Sequence, residues 1–172
     1  MVSWDPCRCA LPYMITYVSP LFTLFLFSMS TRSRIALQLT EDSFVSVYHH
    51  WDGYPSWLGV TLKKKFNTRE KIAELIDGGD LSSCDSDTDW NMEKLDESRP
   101  LYYNDRGENT EPALHLNIDD LFAVDCGQEY TYIYTLDHEW ECYEVDRQRD
   151  DDFKITDTNV KSVPIPEKYP VR

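Results

Sequence analysis

Between Arg34 and Trp51 apolar and polar positions alternate with a period of two: Ile35, Leu37 and Leu39 fall on one face, then Val45, Val47, His49 and Trp51 follow after the polar break at Thr40 to Ser43. Successive side chains of an extended chain point to opposite faces, so this is the pattern of two strands joined by a turn. Thr40 to Ser43 carry short polar side chains that hydrogen-bond locally, which suits a connection of that length. Gly53-Tyr54-Pro55 ends the second strand. Gly53 can adopt the positive φ of a tight turn, and Pro55 fits the first helical position, where its missing N–H costs nothing. A helix is predicted from Ser56 to Phe66. It buries Trp57 or Leu58, Thr61 or Leu62, and Phe66, and places Lys63, Lys64 and Lys65 at its electronegative C-terminal end.

The pattern then shifts to a helical period. Asn67 with Glu70 reads as a capping-box variant, Ile72, Leu75 and Ile76 form the apolar face, and Gly78-Gly79 supplies the stop. Acidic and turn-forming residues dominate Asp85 to Asn109, which reads as a solvated loop. From Glu111 to Cys126 a short strand is expected, followed by a helical turn opening near Asn117 to Asp120. Glu129 to Leu136 and Glu139 to Val145 are aromatic-rich alternating runs joined at Asp137-His138, a second hairpin. The fold class these elements predict is α+β: a small antiparallel sheet built from two β-hairpins, with two to three helices packed on one face. Its single domain spans residues 29–146. Residues 147–172 read as a charged, Pro-containing tail that offers at most an edge strand near Lys154 and Ile155.

The uncharged run from Ala10 to Ser28 is long enough to raise a membrane span, but Pro12 and Pro20 interrupt it and Arg32 and Arg34 follow it. As a secretory signal it lacks a positive n-region and a clean small-x-small cleavage site. Met29 is followed at once by a polar start and a regular strand. The folded protein is therefore expected to begin there, with residues 1–28 an upstream extension or signal-like segment, and no membrane contact unless residues 10–28 are retained as an anchor.

Charge narrows the partners. With 31 Asp and Glu against 17 Lys and Arg, the formal net charge is -14. Binding to phosphate backbones draws its energy from counterions released by Lys and Arg, so direct nucleic-acid binding is disfavoured and a basic protein partner, including one that itself binds nucleic acid, is favoured. The five cysteines are odd in number and include no C-x-x-C pair, which argues against a disulfide framework or a zinc site. Asp85, Asp87 and Asp89 are spaced like the first half of a calcium loop. Trp90, however, stands where such a loop needs Gly, and Asp96 where it needs a bidentate Glu. No metal and no cofactor are expected.

Candidate chemistry concentrates in Val47 to Gly59, VYHHWDGYPSWLG, which packs two histidines, two tryptophans and an aspartate into thirteen residues. Strand parity sets His49 opposite His50 and Asp52, so the two histidines cannot share a site while the strand stays extended. The plainer reading makes His49 and Trp51 core residues and Asp52 a cap for the turn or for the next helix. The functional reading keeps His50, Asp52 and Tyr54 on the exposed side of the corner, with Tyr102, Tyr103 and Arg106 of a second turn reaching across to them. Arg106 could hold a carboxylate or phosphate through its planar fork.

The segments STRSRIALQL, VYHHWDGYPSWLG, FNTREKIAELIDGGDLSS and EYTYIYTLDHEWECYEV together resemble a family of small acidic proteins of unassigned function in bacteriophage and prokaryotic genomes, marked by a Y-x-H-W-D-G-Y-P motif. The resemblance implies a domain from Met29 to Val145 and a cytoplasmic setting in a bacterial or phage-infected cell. It implies no reaction. The expected function is that of an acidic interaction protein binding a host protein through an acidic, aromatic surface. The alternative is a hydrolase or small-ligand-binding protein using the His50 and Asp52 turn with Arg106.

Overall fold

The computed structural model describes residues 30–171, so the expectations for residues 1–28 and for a start at Met29 lie outside the described residues. Eight strands are described: β1 (Ser33–Gln38), β2 (Phe44–His49), β3 (Leu81–Thr88), β4 (Lys94–Tyr102), β5 (Ala113–His115), β6 (Tyr130–Tyr134), β7 (Trp140–Arg149) and β8 (Ile155–Val163). They form one sheet in the order β4-β3-β2-β1-β6-β7-β8, with β5 paired to the start of β2. A π-helical turn, Pro55–Gly59, leads into α1 (Val60–Lys65), followed by α2 (Arg69–Asp77) and, later, α3 (Ile118–Ala123).

This sheet is larger than the small antiparallel one that the alternation predicts, and it is mixed. β1 runs parallel to β6, and β2 meets β3 in parallel at His49 and Leu81. The chain between β2 and β3 is a helical crossover, and a crossover of that length returns a strand in the same direction, as a tight turn cannot.

Helices cover both faces rather than one. Ile35, Leu37, Val47, Tyr132 and Tyr134 face Leu58 and Leu62 of the α1 segment and Ile72, Leu75 and Ile76 of α2. Each fully buried Leu or Ile contributes about 1.5–3 kcal/mol, so this layer is the main hydrophobic core. Residues of opposite parity, Ala36, Phe44 and Ile133, face Leu121 of α3. β1, at the centre, is consequently buried on both sides along most of its length.

Local capping differs by one residue from the sequence expectation. Thr68, extended at φ -132°, caps α2 by accepting from the Lys71 N–H, while the Asn67 carbonyl accepts the Tyr134 hydroxyl at 3.1 Å. The acidic stretch expected to be a loop is instead the β3–β4 hairpin, broken by register shifts. Its turn is closed by the Asp89 carboxylate, which accepts from the Asn91 and Glu93 N–H groups at 2.8 and 2.9 Å, and Asp85 pairs with Lys65 at 2.7 Å. Little alternation betrays this hairpin, because beyond Leu81, Cys84 and Leu101 it buries few apolar side chains.

The segment after residue 146 also departs from the expected tail. β7 continues to Arg149, β8 pairs with it antiparallel, and the chain then returns to the core layer. Ile165 packs beside Gly59 and Tyr132, Glu167 pairs with Lys63 at 2.7 Å, and Tyr169 hydrogen-bonds to Thr61 at 3.1 Å and lies against Trp57.

Candidate interaction site

Beyond His49 the chain continues alongside β3, with the His50 and Trp51 N–H groups donating to the Leu81 and Ser82 carbonyls at 3.0 Å each. Asp52 then takes φ 57° and turns the chain. The left-handed residue of this corner is therefore Asp52 and not Gly53. Gly53 is needed for closeness: a Cβ there would lie 2.7 Å from both Ser33 Oγ and the Thr31 carbonyl oxygen.

His49 is buried as expected, but Trp51 is 50% exposed: the consecutive His50 and Trp51 N–H groups both donate to β3, so the alternation of an extended strand is broken before the turn at Asp52. Burial holds the His49 imidazole neutral by lowering its pKa to about 3. His50 occupies the solvent-facing side. Its Nδ1 lies 2.7 Å from the Tyr48 hydroxyl, and its ring makes edge contacts with Trp51 at 4.9 Å and Tyr103 at 6.5 Å between centroids.

Tyr103 arrives from the other side. At the end of β4 the chain forms a 3-10 turn, Tyr103–Arg106, closed by Gly107 in the left-handed region at φ 89°. Asp80 ties the two segments together: its carboxylate accepts the Tyr48 N–H at 2.8 Å and its carbonyl accepts the Tyr103 N–H at 3.0 Å. Arg106 stacks over Trp90 at 4.4 Å and over Tyr103 at 4.7 Å, while its Nε donates to Glu108 at 2.6 Å. The Trp90 indole N–H donates to the Tyr102 carbonyl at 2.9 Å and fixes the indole plane. The result is a continuous ladder of rings and one guanidinium: Trp51, His50, Tyr103, Arg106 and Trp90.

Of the six residues singled out from sequence, the structure brings together His50, Tyr103 and Arg106. Asp52 is exposed and makes no side-chain hydrogen bond with the described residues, and the change of direction at its own φ removes the shared face that extended parity would have given it with His50. Tyr54 is half-buried, and its carbonyl accepts the first helical N–H groups, from Trp57 and Leu58 at 3.0 Å each. Tyr102 packs against Gly78 and the core, and burial pushes its pKa up to about 12. Trp90 was missed. Its signal was an isolated tryptophan in an acidic run, sharing a segment with an arginine that can stack on it.

The two titratable groups at the His50 end of the ladder are both held in their neutral forms. Burial, then Arg32 and Arg106, hold the His50 pKa below the ordinary value, so the ring is neutral at pH 7. Burial raises Tyr48 to about 12, so its hydroxyl keeps its proton. The Ser30 hydroxyl donates to the His50 backbone carbonyl at 2.9 Å, but among the described residues no carboxylate, Ser or Cys side chain hydrogen-bonds to the His50 ring, whose partner is the Tyr48 hydroxyl. Among the same residues no group of three His, Cys, Asp or Glu side chains is arranged to hold a metal ion.

A second polar chain runs along the same face of β2 as Tyr48, whose cross-strand partner is Arg34. Arg34, 6% exposed, donates to Ser46 Oγ at 2.7 Å, and Ser46 Oγ lies 2.7 Å from His115 Nε2. Burial and the Arg34 charge lower the His115 pKa, and the chain of hydrogen bonds fastens β1, β2 and β5 together.

Comparison with protein-family models, with curated proteins and with solved structures gives no match to this chain. Among the described residues no helix is long and apolar enough to cross a membrane.

Proposed function

We propose that this chain is an acidic interaction protein of phage or bacterial type, acting in the cytoplasm, that binds a host protein through the surface formed by Trp51, His50, Tyr103, Arg106 and Trp90. The carrying observation is the ladder itself. Trp, Tyr and Arg dominate the energetics of protein interfaces, and here they form one rigid, half-exposed group, with Met92 83% exposed on the turn beside Trp90. Rigid rings lose little side-chain freedom on binding, so contact area converts efficiently into affinity. Asp105 and Glu108 border the ladder in a chain of net charge -14, which steers a basic partner toward it. The hydrolase alternative draws little support, because Asp52 does not meet His50 and the Arg106 fork is already engaged by Glu108.

The test is affinity capture from host lysate with the full chain, in parallel with Trp51→Ala and Arg106→Ala. Each substitution should reduce recovery of a specific protein about tenfold or more, as loss of a central anchor does. Recovery should also fall steeply with added salt. Recovery that neither the substitutions nor salt alters would refute the reading.

A further inference from the structure

The two edges of the sheet are not equivalent. β4 carries Pro100, which has no N–H to offer, together with Lys94, Glu97 and Arg99, and its pairing with β3 is interrupted by three register shifts. Such an edge does not accept another strand. β8 is nine residues long, contains no proline, pairs with β7 on one side only, and is exposed along most of its length.

Its sequence, ITDTNVKSV, is self-complementary. Placed antiparallel to a second copy about Asn159, Ile155 faces Val163, Thr156 faces Ser162, Asp157 faces Lys161 and Thr158 faces Val160, each pair occurring twice. Residues directly opposite in an antiparallel ladder share a face, so β-branched residues meet at the 155/163 and 158/160 pairs, and an acid meets a base at both copies of the 157/161 pair. Any register shifted by two residues would lose the Asp157 and Lys161 pairing. Neither side chain takes part in an ion pair among the described residues, although Lys161 stands opposite Glu144 of β7.

The face carrying Thr158 and Val160 borders a groove of about 370 Å³ between α3 and β8, lined also by Ile118 and Phe122. Ile118 is 40% exposed there. Val160 of the partner subunit, set beside Thr158 in this register, would extend apolar cover at the mouth of that groove.

We propose that β8 is a homodimerisation edge: two copies of this chain pair antiparallel through Ile155–Val163 about a two-fold axis at Asn159. Since β4 is blocked, the pairing is isologous and closes at two copies instead of propagating into a fibre. This surface is distinct from the aromatic ladder and does not depend on the function proposed for it.

Sedimentation of the full chain over a range of concentrations should show a monomer–dimer equilibrium. Lys161→Asp sets acid against acid twice and should raise the dissociation constant about tenfold or more, and adding Asp157→Lys should restore it. Asn159→Cys should yield a disulfide-linked dimer faster than Thr156→Cys, because only a residue on the axis meets its own copy within the Cα separation that a disulfide spans. This cross-link decides the matter even if a charge variant fails to fold. A monomer at every concentration, a dimer indifferent to Lys161→Asp in a folded variant, or equal cross-linking from positions 156 and 159 would each overturn the proposal.

Discussion

His49 Nε2 accepts the Cys84 backbone N–H at 3.1 Å, across the seam where β2 meets β3. A neutral imidazole has one donor and one acceptor nitrogen, so this bond puts the proton on Nδ1, 3.1 Å from Ser33 Oγ. One buried ring therefore ties β1, β2 and β3 together. Its pKa is lowered to about 3 in the folded chain, against 6.5 when exposed. Below pH 6.5 the unfolded chain binds a proton that the folded chain refuses, so stability is fully present above that pH and is lost as the pH falls toward 3. The expected slope is about 1.4 kcal/mol per pH unit from this residue. His50 and His115 are shifted in the same direction, so urea denaturation of the wild type against His49→Gln isolates the share of His49: the variant should be weaker at pH 7 and flatter in acid.

Gly53 and Asp52 should respond in opposite directions. Gly53→Ala places a methyl against Ser33 Oγ and the Thr31 carbonyl and should cost about 1–3 kcal/mol, as overpacking does. Asp52→Gly relieves a left-handed φ on an exposed residue. Offset in part by the freedom of glycine in the unfolded chain, it should change stability by less than about 1 kcal/mol, in the stabilising direction. Thermal or urea unfolding of the two variants checks the contrast.

Truncation after Val163 should destabilise the domain, although it removes only residues 164–172. It uncovers the site where Ile165 lies against Gly59 and Tyr132, and it deletes the Tyr169 contacts with Thr61, Trp57 and Lys64. Ile165→Ala alone should lose about 1–2 kcal/mol, the share of a half-buried aliphatic side chain. Urea midpoints measure both changes.

In the ladder, anchoring and recognition should separate. Trp90→Phe keeps a ring under Arg106 but loses the indole bond to the Tyr102 carbonyl, at a cost of about 0.5–1.5 kcal/mol. Trp51→Ala, at a half-exposed position, should leave stability within about 0.5 kcal/mol. Chemical denaturation of the two variants distinguishes them.

The sequence was most legible where one face is buried and the other wet. In α2 the spacing of Ile72, Leu75 and Ile76, with two glycines after them, places the helix to within a residue or two of Arg69–Asp77. It was least legible where that contrast disappears. Arg34 and Ala36 are buried on the second face of β1 because α3 covers it, and nothing within β1 announces that distant helix. At the other extreme β8 is exposed on most of its length, so its strand character rests on pairing with β7 and not on any apolar period.

Local chemistry in the chain thus determined the helices, the acidic charge and the presence of His50, Tyr103 and Arg106 as candidates, because capping, periodicity and charge act between residues close in sequence. The parallel pairings, the cover on both faces and the order of strands were decided only by tertiary structure. So was the assembly of the ladder: Trp51 and Trp90 join it because the β2 and β4 ends are drawn together through Asp80, a contact between segments that no short-range rule can foresee.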